Sequence, residues 1–269
     1  MGAQGRAAGG RALGQGVDVL TARGVFAIDA AGLHYRELNR RVREAVAAGR
    51  KDVLLTGVNG QYYIGDGIRA EVNITVEGVP GNDLGAFMDG PTIVVRSNAQ
   101  DNVGNTMNRG KIVVHGRAGD VLGYGMRGGK LFVKGDVGYR VGIHMKGYRD
   151  QVPVLVVGGK AGDFFGEYMA GGVLVLLGLG PDDGRPPVGD YLGTGMHGGV
   201  MYIRGSVDPT VFGKEVGVVE ITPADSQFLH ECVREFCAEF SIDPGEVLTR
   251  EFIKIVPVSL RPYGNLYAY

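Results

Sequence analysis

The side chains best suited to chemistry are few, and their spacing does not indicate catalysis. The chain has two cysteines, Cys232 and Cys237, too few to hold an iron–sulfur cluster or a structural zinc ion without other ligands. No serine or cysteine lies in the glycine-flanked turn that exposes a hydrolase nucleophile. The sequence therefore predicts no catalytic, cofactor-binding or metal-binding residue. The five histidines also lack metal-ligand spacing: His34, His115, His144, His197 and His230.

Two segments have the glycine spacing of a dinucleotide-binding loop. They read GYGMRG at 123–128 and GTGMHG at 193–198. A dinucleotide-binding loop requires a strand before it and a helix after it. Here each segment is followed by a short apolar run typical of a strand, at 131–133 and at 200–203. We interpret both segments as corners of a repeat rather than as nucleotide sites.

Asparagine or aspartate recurs three residues before a glycine of this repeat. Repeated calcium sites are one interpretation, although the calcium-binding nonapeptide is missing. A row of catalytic carboxylates, in an enzyme acting on a polysaccharide or an ester, is another. A third is that these side chains hydrogen-bond the local backbone and set the turn. Five of the six positions carry Asn or Asp: Asn82, Asp101, Asp120, Tyr139, Asp163 and Asp190.

Methionine occupies one position of the same repeat, three residues after a glycine. Six of the eight methionines and one isoleucine fall there, at intervals of 20, 19, 19, 19, 24 and 27 residues. A short period of this kind indicates stacked turns, each supported by its neighbours. Because methionine is unbranched and adaptable, we expect this column to pack inside the stack rather than to ligate a metal or cofactor. The seven positions are Ile68, Met88, Met107, Met126, Met145, Met169 and Met196.

Short apolar runs follow the glycine corners, one for each repeat. They predict an all-β fold, a single-stranded parallel β-helix of about seven coils over residues 53–220. Short helices are expected at both ends of the β-helix. We divide the rest of the chain into a mobile leader at 1–16, an N-terminal extension with a helix at 17–52, and a C-terminal helix with an aromatic tail at 221–269.

The two flanking helices have clear sequence signals. Apolar residues at helical spacing predict a helix over 35–48. A second helix begins after Thr222, which forms a capping-box pattern with Asp225. Its apolar stripe includes both cysteines, so we expect buried, inert thiols. This helix should either cover the open end of the last coil or lie along the flank of the β-helix. A further strand is predicted at 253–256.

Two insertions lengthen individual coils, at 148–151 and at 180–187. Insertions in a solenoid project from one face as loops, often where partners bind. We predict that these two loops contact other proteins. The aromatic tail at 261–269 either packs on its own domain or anchors a partner, since Tyr and Arg are favoured at interface centres.

Composition and charge exclude several classes of partner. The net charge of −1 and the pI near 6.5 give no electrostatic reason to expect nucleic acid. No run approaches the roughly 18 apolar residues of a membrane span. Two cysteines in so long a chain favour a reducing compartment. We therefore predict a cytoplasmic protein without nucleic-acid or membrane partners, and leave a homo-oligomer open.

The repeat G-D-x-x-G-x-G-M-x-G-G, present at 119–129 and 189–199, resembles the GXGXG domain of glutamate synthase, the third domain of its large subunit. The stretches at 28–39 and 58–65 look like stand-alone archaeal and bacterial versions of that domain. A similar repeat occurs in one of the subunits of formylmethanofuran dehydrogenase and of the formyltransferase/hydrolase complex. It also occurs in a subunit of N-methylglutamate synthase.

The resemblance implies a right-handed β-helix with no chemistry and no cofactor of its own. It implies a scaffold subunit of an oxidoreductase complex in glutamate biosynthesis. There it would join a glutaminase-type amidotransferase subunit to an FMN-binding synthase subunit. The alternatives are a subunit of a formyl-transferring C1 complex, of the formylmethanofuran dehydrogenase or formyltransferase/hydrolase type, and a subunit of N-methylglutamate synthase.

Overall fold

The computed structural model describes residues 18–21, 24–180 and 183–259. The predicted leader and aromatic tail lie outside the described residues. Within them, twelve strands form one sheet of order β1-β2-β3-β4-β5-β6-β7-β8-β9-β10-β12-β11. The strands are β1 Val19–Leu20, β2 Phe26–Asp29, β3 Asp52–Asn59, β4 Asn73–Val79, β5 Asp89–Val95, β6 Arg109–Val114, β7 Lys130–Val133, β8 Val154–Val157, β9 Ala170–Leu176, β10 Gly198–Arg204, β11 Val216–Val219 and β12 Phe252–Pro257. The helices are α1 Tyr35–Ala47, α2 Pro223–Phe240 and α3 Pro244–Leu248, with a 3₁₀ turn at Pro209–Val211.

Consecutive strands from β2 to β10 pair in parallel, so each turn of the chain adds one strand to the sheet. The result is a parallel β-solenoid of about six turns, which confirms the predicted all-β class and lies close to the predicted seven coils. β12 then returns antiparallel between β10 and β11. The sheet also extends ahead of residue 53, because β2 pairs with β3.

Side chains alternate between the inside of the solenoid and its outer surface, as the two-residue period of a strand requires. In β6, Ile112 and Val114 belong to the interior cluster, whereas Val113 points outward. The methionine column lies in the interior and is 0–1% exposed, with Ile68 at 5%. The predicted packing role of this column is confirmed.

α1 closes the first end of the solenoid. Leu38, Val42 and Ala45 join the interior cluster of the stack. The predicted helix over 35–48 is confirmed to within one residue. At the opposite end, Val216 belongs to the same cluster and Phe212 packs against it. Both ends of the stack are therefore shielded from water.

α2 lies along the flank of the solenoid rather than across its end. Its apolar face packs on the outward-facing residues of β6 to β10, and the rings of Phe236 and Phe132 are 5.8 Å apart. Lys111 of β6 forms ion pairs with Glu235 at 2.8 Å and with Glu239 at 2.9 Å. Strands covered in this way are buried on both faces, so their sequences are apolar throughout instead of alternating.

The N-terminus of α2 is fixed by a largely buried carboxylate. Thr222 and Asp225 form the predicted capping box. Asp225 also accepts hydrogen bonds from the Tyr202 hydroxyl and from Lys254 Nζ, at 2.5 and 2.7 Å. Burial acts to raise the pKa of Asp225, but the hydrogen bonds from Lys254, Thr222 and Tyr202 outweigh it and hold the pKa well below its usual value.

Among the residues that the structure describes, no helix is both long enough and apolar enough to cross a membrane.

Replacing Met126 by Asp should destabilise the protein by roughly 3–5 kcal/mol, because it places an unpaired charge in a dry column. Met126→Leu is the matched control and should cost less than about 1.5 kcal/mol. Denaturant unfolding followed by circular dichroism measures both. If Met126→Asp unfolds like the wild type, the column faces water and the interior assignment is wrong.

Asp225→Asn should destabilise the protein in a pH-dependent way. Because folding lowers the pKa of Asp225, its contribution to stability is full above the unfolded pKa of about 4 and is lost as pH falls through the folded value. The difference in free energy of unfolding between wild type and variant should therefore be largest near pH 7 and shrink below about pH 4. Exposed Glu220, replaced by Gln, is the control. An Asp225→Asn difference that stays constant from pH 7 to pH 3 would contradict this account.

Candidate functional site

Each turn of the solenoid bends at the glycine three residues before the methionine position. This glycine has a φ between 66° and 78° in all seven copies. The residues two before and two after it also have positive φ, for example Val121 at 62° and Gly125 at 56° around Gly123. Three left-handed residues within five are costly, and most costly for a β-branched side chain such as that of Val121.

The neighbouring turns hold these corners in place. Val121 donates its backbone N–H to Tyr139 O of the next turn at 2.8 Å. Gly123 donates to Val103 O of the preceding turn, also at 2.8 Å. Gly125 donates to Ile143 O of the next turn at 2.9 Å. The corner N–H groups thus point alternately to the turn above and the turn below, and a corner is satisfied only within a stack.

The recurring Asx side chains form a ladder between turns. Asp120 Oδ1 accepts the backbone N–H of Tyr139 at 2.9 Å, and Asp101 Oδ1 accepts that of Asp120 at the same distance. The predicted backbone hydrogen bond exists, but its partner was wrong: it is the same position of the next turn, not the local turn. A second ladder, which sequence analysis missed, lies three residues earlier. There Asn98 accepts from Arg117 N and Asp136 accepts from Lys160 N.

Where the donor of a rung is preceded by glycine, that glycine leaves room for the acidic side chain of the previous turn. A Cβ on Gly138 would lie 1.8 Å from Asp120 Oδ1, and one on Gly119 would lie 2.0 Å from Asp101 Oδ1. At positions 119 and 138 the glycine is therefore a steric requirement of the ladder. Among the described residues, no three His, Cys, Asp or Glu side chains group closely enough to hold a metal ion. These carboxylates act as turn-to-turn acceptors.

The remaining residues considered in the sequence, namely the two glycine segments, His197 and the two cysteines, occupy positions that support the fold. The two glycine segments are followed by β7 and β10, as the corner interpretation predicted. His197 Nδ1 lies 3.2 Å from Gly195 O. Both cysteines are buried and free, which confirms that prediction. Burial raises the pKa of Cys232 to about 12 and also raises the pKa of Cys237, so the reactive thiolate is disfavoured.

The outer face of the corners carries aromatic rings in short rows. The His144 ring lies 5.7 Å from Tyr124, edge to face, and 5.5 Å from Tyr168, stacked. On the other side of the corner, Phe164 stacks on Tyr191 at 4.8 Å. These rows span several turns and stay partly exposed. We define this outer surface as the corner face, and it is the candidate site for contact with another molecule.

One buried acid lies beneath the corner face. Glu167 is 7% exposed and pairs with Arg140 Nε at 2.9 Å. The Arg140 guanidinium also lies 4.5 Å from the centre of the Phe164 ring. Neither the rings nor this pair was predicted from the sequence. The available signal was aromatic residues within two positions of the corner glycine.

The first insertion is held by contacts within itself, and the second is also bonded to the solenoid. In the first, Tyr148 and Gln151 exchange backbone hydrogen bonds of 3.1 Å, and Arg149 lies 5.1 Å from the centre of the Tyr148 ring. In the second, Asp183 pairs with Lys160 and Arg185. Hydrogen bonds from these two cations hold the pKa of Asp183 well below its usual range. Pro181 and Asp182 lie outside the described residues, and partner contact by either loop stays a prediction.

The stacked turns, glycine corners and interior methionine column define a class of protein, the parallel β-solenoid with a glycine-rich repeat. A family model described as the GXGXG motif matches residues 50–260. The chain belongs to this family. It is also similar to the uncharacterised protein MJ1350 of Methanocaldococcus jannaschii, with 47% identity over 249 residues, covering 89% of this chain and 95% of that protein.

Gly138→Ala should destabilise the protein by about 1–3 kcal/mol through overpacking against Asp120 Oδ1. In an Asp120→Ala background, the same substitution should cost at least roughly 1 kcal/mol less, because contacting residues couple in a double-mutant cycle. Denaturant unfolding of the four proteins gives the coupling energy. Strictly additive costs would show that the carboxylate is not what excludes a side chain at position 138.

Proposed function

We propose that this chain is a non-catalytic scaffold subunit of a glutamate-synthase-type complex. It would join a glutaminase-type amidotransferase subunit to an FMN-binding synthase subunit. Membership of the GXGXG motif family and the glutamate-synthase-like repeat support this proposal.

The observation that carries the proposal is the continuity of bonding from turn to turn. The corner N–H groups, the Asx ladders and the parallel sheet all connect neighbouring turns. Nine parallel strands, β2 to β10, span eight steps of roughly 4.8 Å, which gives a rod roughly 40 Å long. Such a rod can hold two partners at a fixed separation.

The polar side chains are engaged in supporting the fold, which favours the same non-catalytic scaffold role. The repeated carboxylates are occupied as acceptors of backbone N–H groups from the next turn. The two thiols lie buried under α2. Groups engaged in this way support the fold, and the chemistry would reside in the partner subunits.

Affinity purification of the tagged full chain from its native cells tests this role. We expect a glutaminase-like subunit and a flavin-containing subunit to copurify in fixed ratio with the chain. Omitting the chain from the reassembled complex should abolish glutamine-dependent glutamate synthesis. Glutamine hydrolysis and ammonia-dependent synthesis by the separate partners should persist.

Two outcomes would contradict the proposal. Copurification of amidohydrolase-like and formyltransferase-like subunits would assign the chain to a formyl-transferring complex instead. Recovery of the chain without any glutaminase-like or flavin-containing subunit would reject the glutamate-synthase role.

A further inference from the structure

Two cations occupy the same position on adjacent turns of the solenoid. Arg127 donates its backbone N–H to Met107 O at 2.8 Å, and Lys146 donates to Met126 O at 3.0 Å. This shared register places their backbones roughly 4.8 Å apart. Both side chains are exposed. Neighbouring like charges in this arrangement are unfavourable unless an anion lies between or above them.

Nothing on the described part of the chain neutralises this pair. None of the ion pairs between described residues includes Arg127 or Lys146. Two other cations on neighbouring turns do have acidic partners: Arg109 pairs with Asp89, and Lys111 pairs with Glu235 of α2. Among the residues described, Arg127 and Lys146 are the two uncompensated cations of their own column.

Exposed aromatic and cationic residues lie close to the pair along the chain. Tyr124, three residues before Arg127, is 41% exposed. Tyr148, two residues after Lys146, is 48% exposed, and the Arg149 guanidinium lies over its ring. We call these five residues the basic corner patch. A patch that combines cations with exposed rings suits an anionic ligand that also presents apolar surface.

The extent of the patch favours a peptide over a nucleic acid. The column that holds Arg127 and Lys146 continues as Asn108 on the preceding turn and Ala170 on the following one, so the charge stops after two turns. The whole chain has a net charge of −1. Nucleic-acid binding relies on many phosphate contacts along an extended basic track, which this column does not provide.

We propose that the basic corner patch binds a short acidic segment of a partner protein. Carboxylates of that segment pair with Arg127 and Lys146, and its apolar side chains pack on Tyr124 and Tyr148. This inference deepens the proposed scaffold function and rests on it, since it names the surface by which one partner is recognised. Charge complementarity at such a surface mainly sets partner choice and association rate.

A binding assay on the full-length chain tests the patch directly. The probe is a fluorescein-labelled octapeptide in which Glu alternates with Leu and Gly, followed by fluorescence anisotropy. A peptide with Gln in place of every Glu, and a labelled ten-nucleotide oligothymidylate, are the comparison ligands. The variant Arg127→Glu/Lys146→Glu removes the patch charge. The control, Arg117→Glu/Lys134→Glu, makes the same change at two exposed sites elsewhere on the solenoid.

We expect the acidic peptide to bind at least tenfold more tightly than the Gln peptide, and more weakly as salt rises. The patch variant should weaken this binding at least tenfold, and the control variant less than twofold. Equal weakening by both variants, or no measurable binding of the acidic peptide, would overturn the inference. Tighter binding of the oligothymidylate, lost in the patch variant, would also overturn it and assign the patch to nucleic acid.

Purification from native cells separates this inference from the proposed function. If the tagged patch variant folds normally by circular dichroism but loses one subunit that the control variant retains, the patch is the recognition surface. If both variants retain every subunit of a glutaminase- and flavin-containing complex, the patch proposal fails and the scaffold function stands. If the wild-type chain itself recovers neither subunit, the scaffold function fails, and the partner-recognition role that rests on it is lost.

Discussion

The glycine corners in the middle of the solenoid depend on hydrogen bonds to the turns on either side of them. A corner places three left-handed residues within five, an arrangement that is unfavourable for an isolated chain. Its N–H groups find acceptors only on the neighbouring turns. Stability is therefore collective along the stack, as in other repeat proteins. The same dependence explains other features of the repeat. The acidic side chain reaches the next turn, and glycines such as Gly119 and Gly138 leave room for it. The interior accepts one adaptable side chain per turn, methionine in six of the seven copies.

A stack of this kind leaves two ends and an outer surface to be protected. α1 and the residues around Val216 shield the ends, and α2 covers the outward face of β6 to β10. The first strands receive no such cover, and β3 keeps the alternation of buried and exposed residues expected of a half-solvated strand. The corner face is likewise left open beside the covered sheet. Its exposed rings and cations are thus available to a partner, whereas the sheet face is already occupied by the chain itself.

Local and periodic signals made much of this structure predictable from the sequence. The methionine column follows from its spacing, α1 from its apolar stripe, and the start of α2 from Thr222 and its capping box. Features set by distant contacts were not predictable. β2 joins the sheet although no corner glycine precedes it in the sequence. The position of α2 on the flank of the solenoid depends on its packing against strands about 100 residues earlier. The hydrogen-bond partners of the Asp side chains were also not predictable. From sequence alone, an Asx side chain is equally able to accept from its local backbone or from the backbone of the next turn.

The positions that face outward at the corner differ from the interior ones in how strictly the fold limits them. Interior positions must fill a column of fixed width, so Met126 and its equivalents vary little along the chain. Outward positions meet no such limit, and they hold residues as different as Tyr124, His144, Arg127 and Lys146. Adjacent like charges without a compensating acid lower stability on their own. A corner that is hydrogen-bonded to the preceding and following turns can tolerate this loss of stability. Over the described ranges of the chain, the fold gains no ion pair from Arg127 and Lys146, which agrees with the proposal that these two side chains serve a ligand outside the chain.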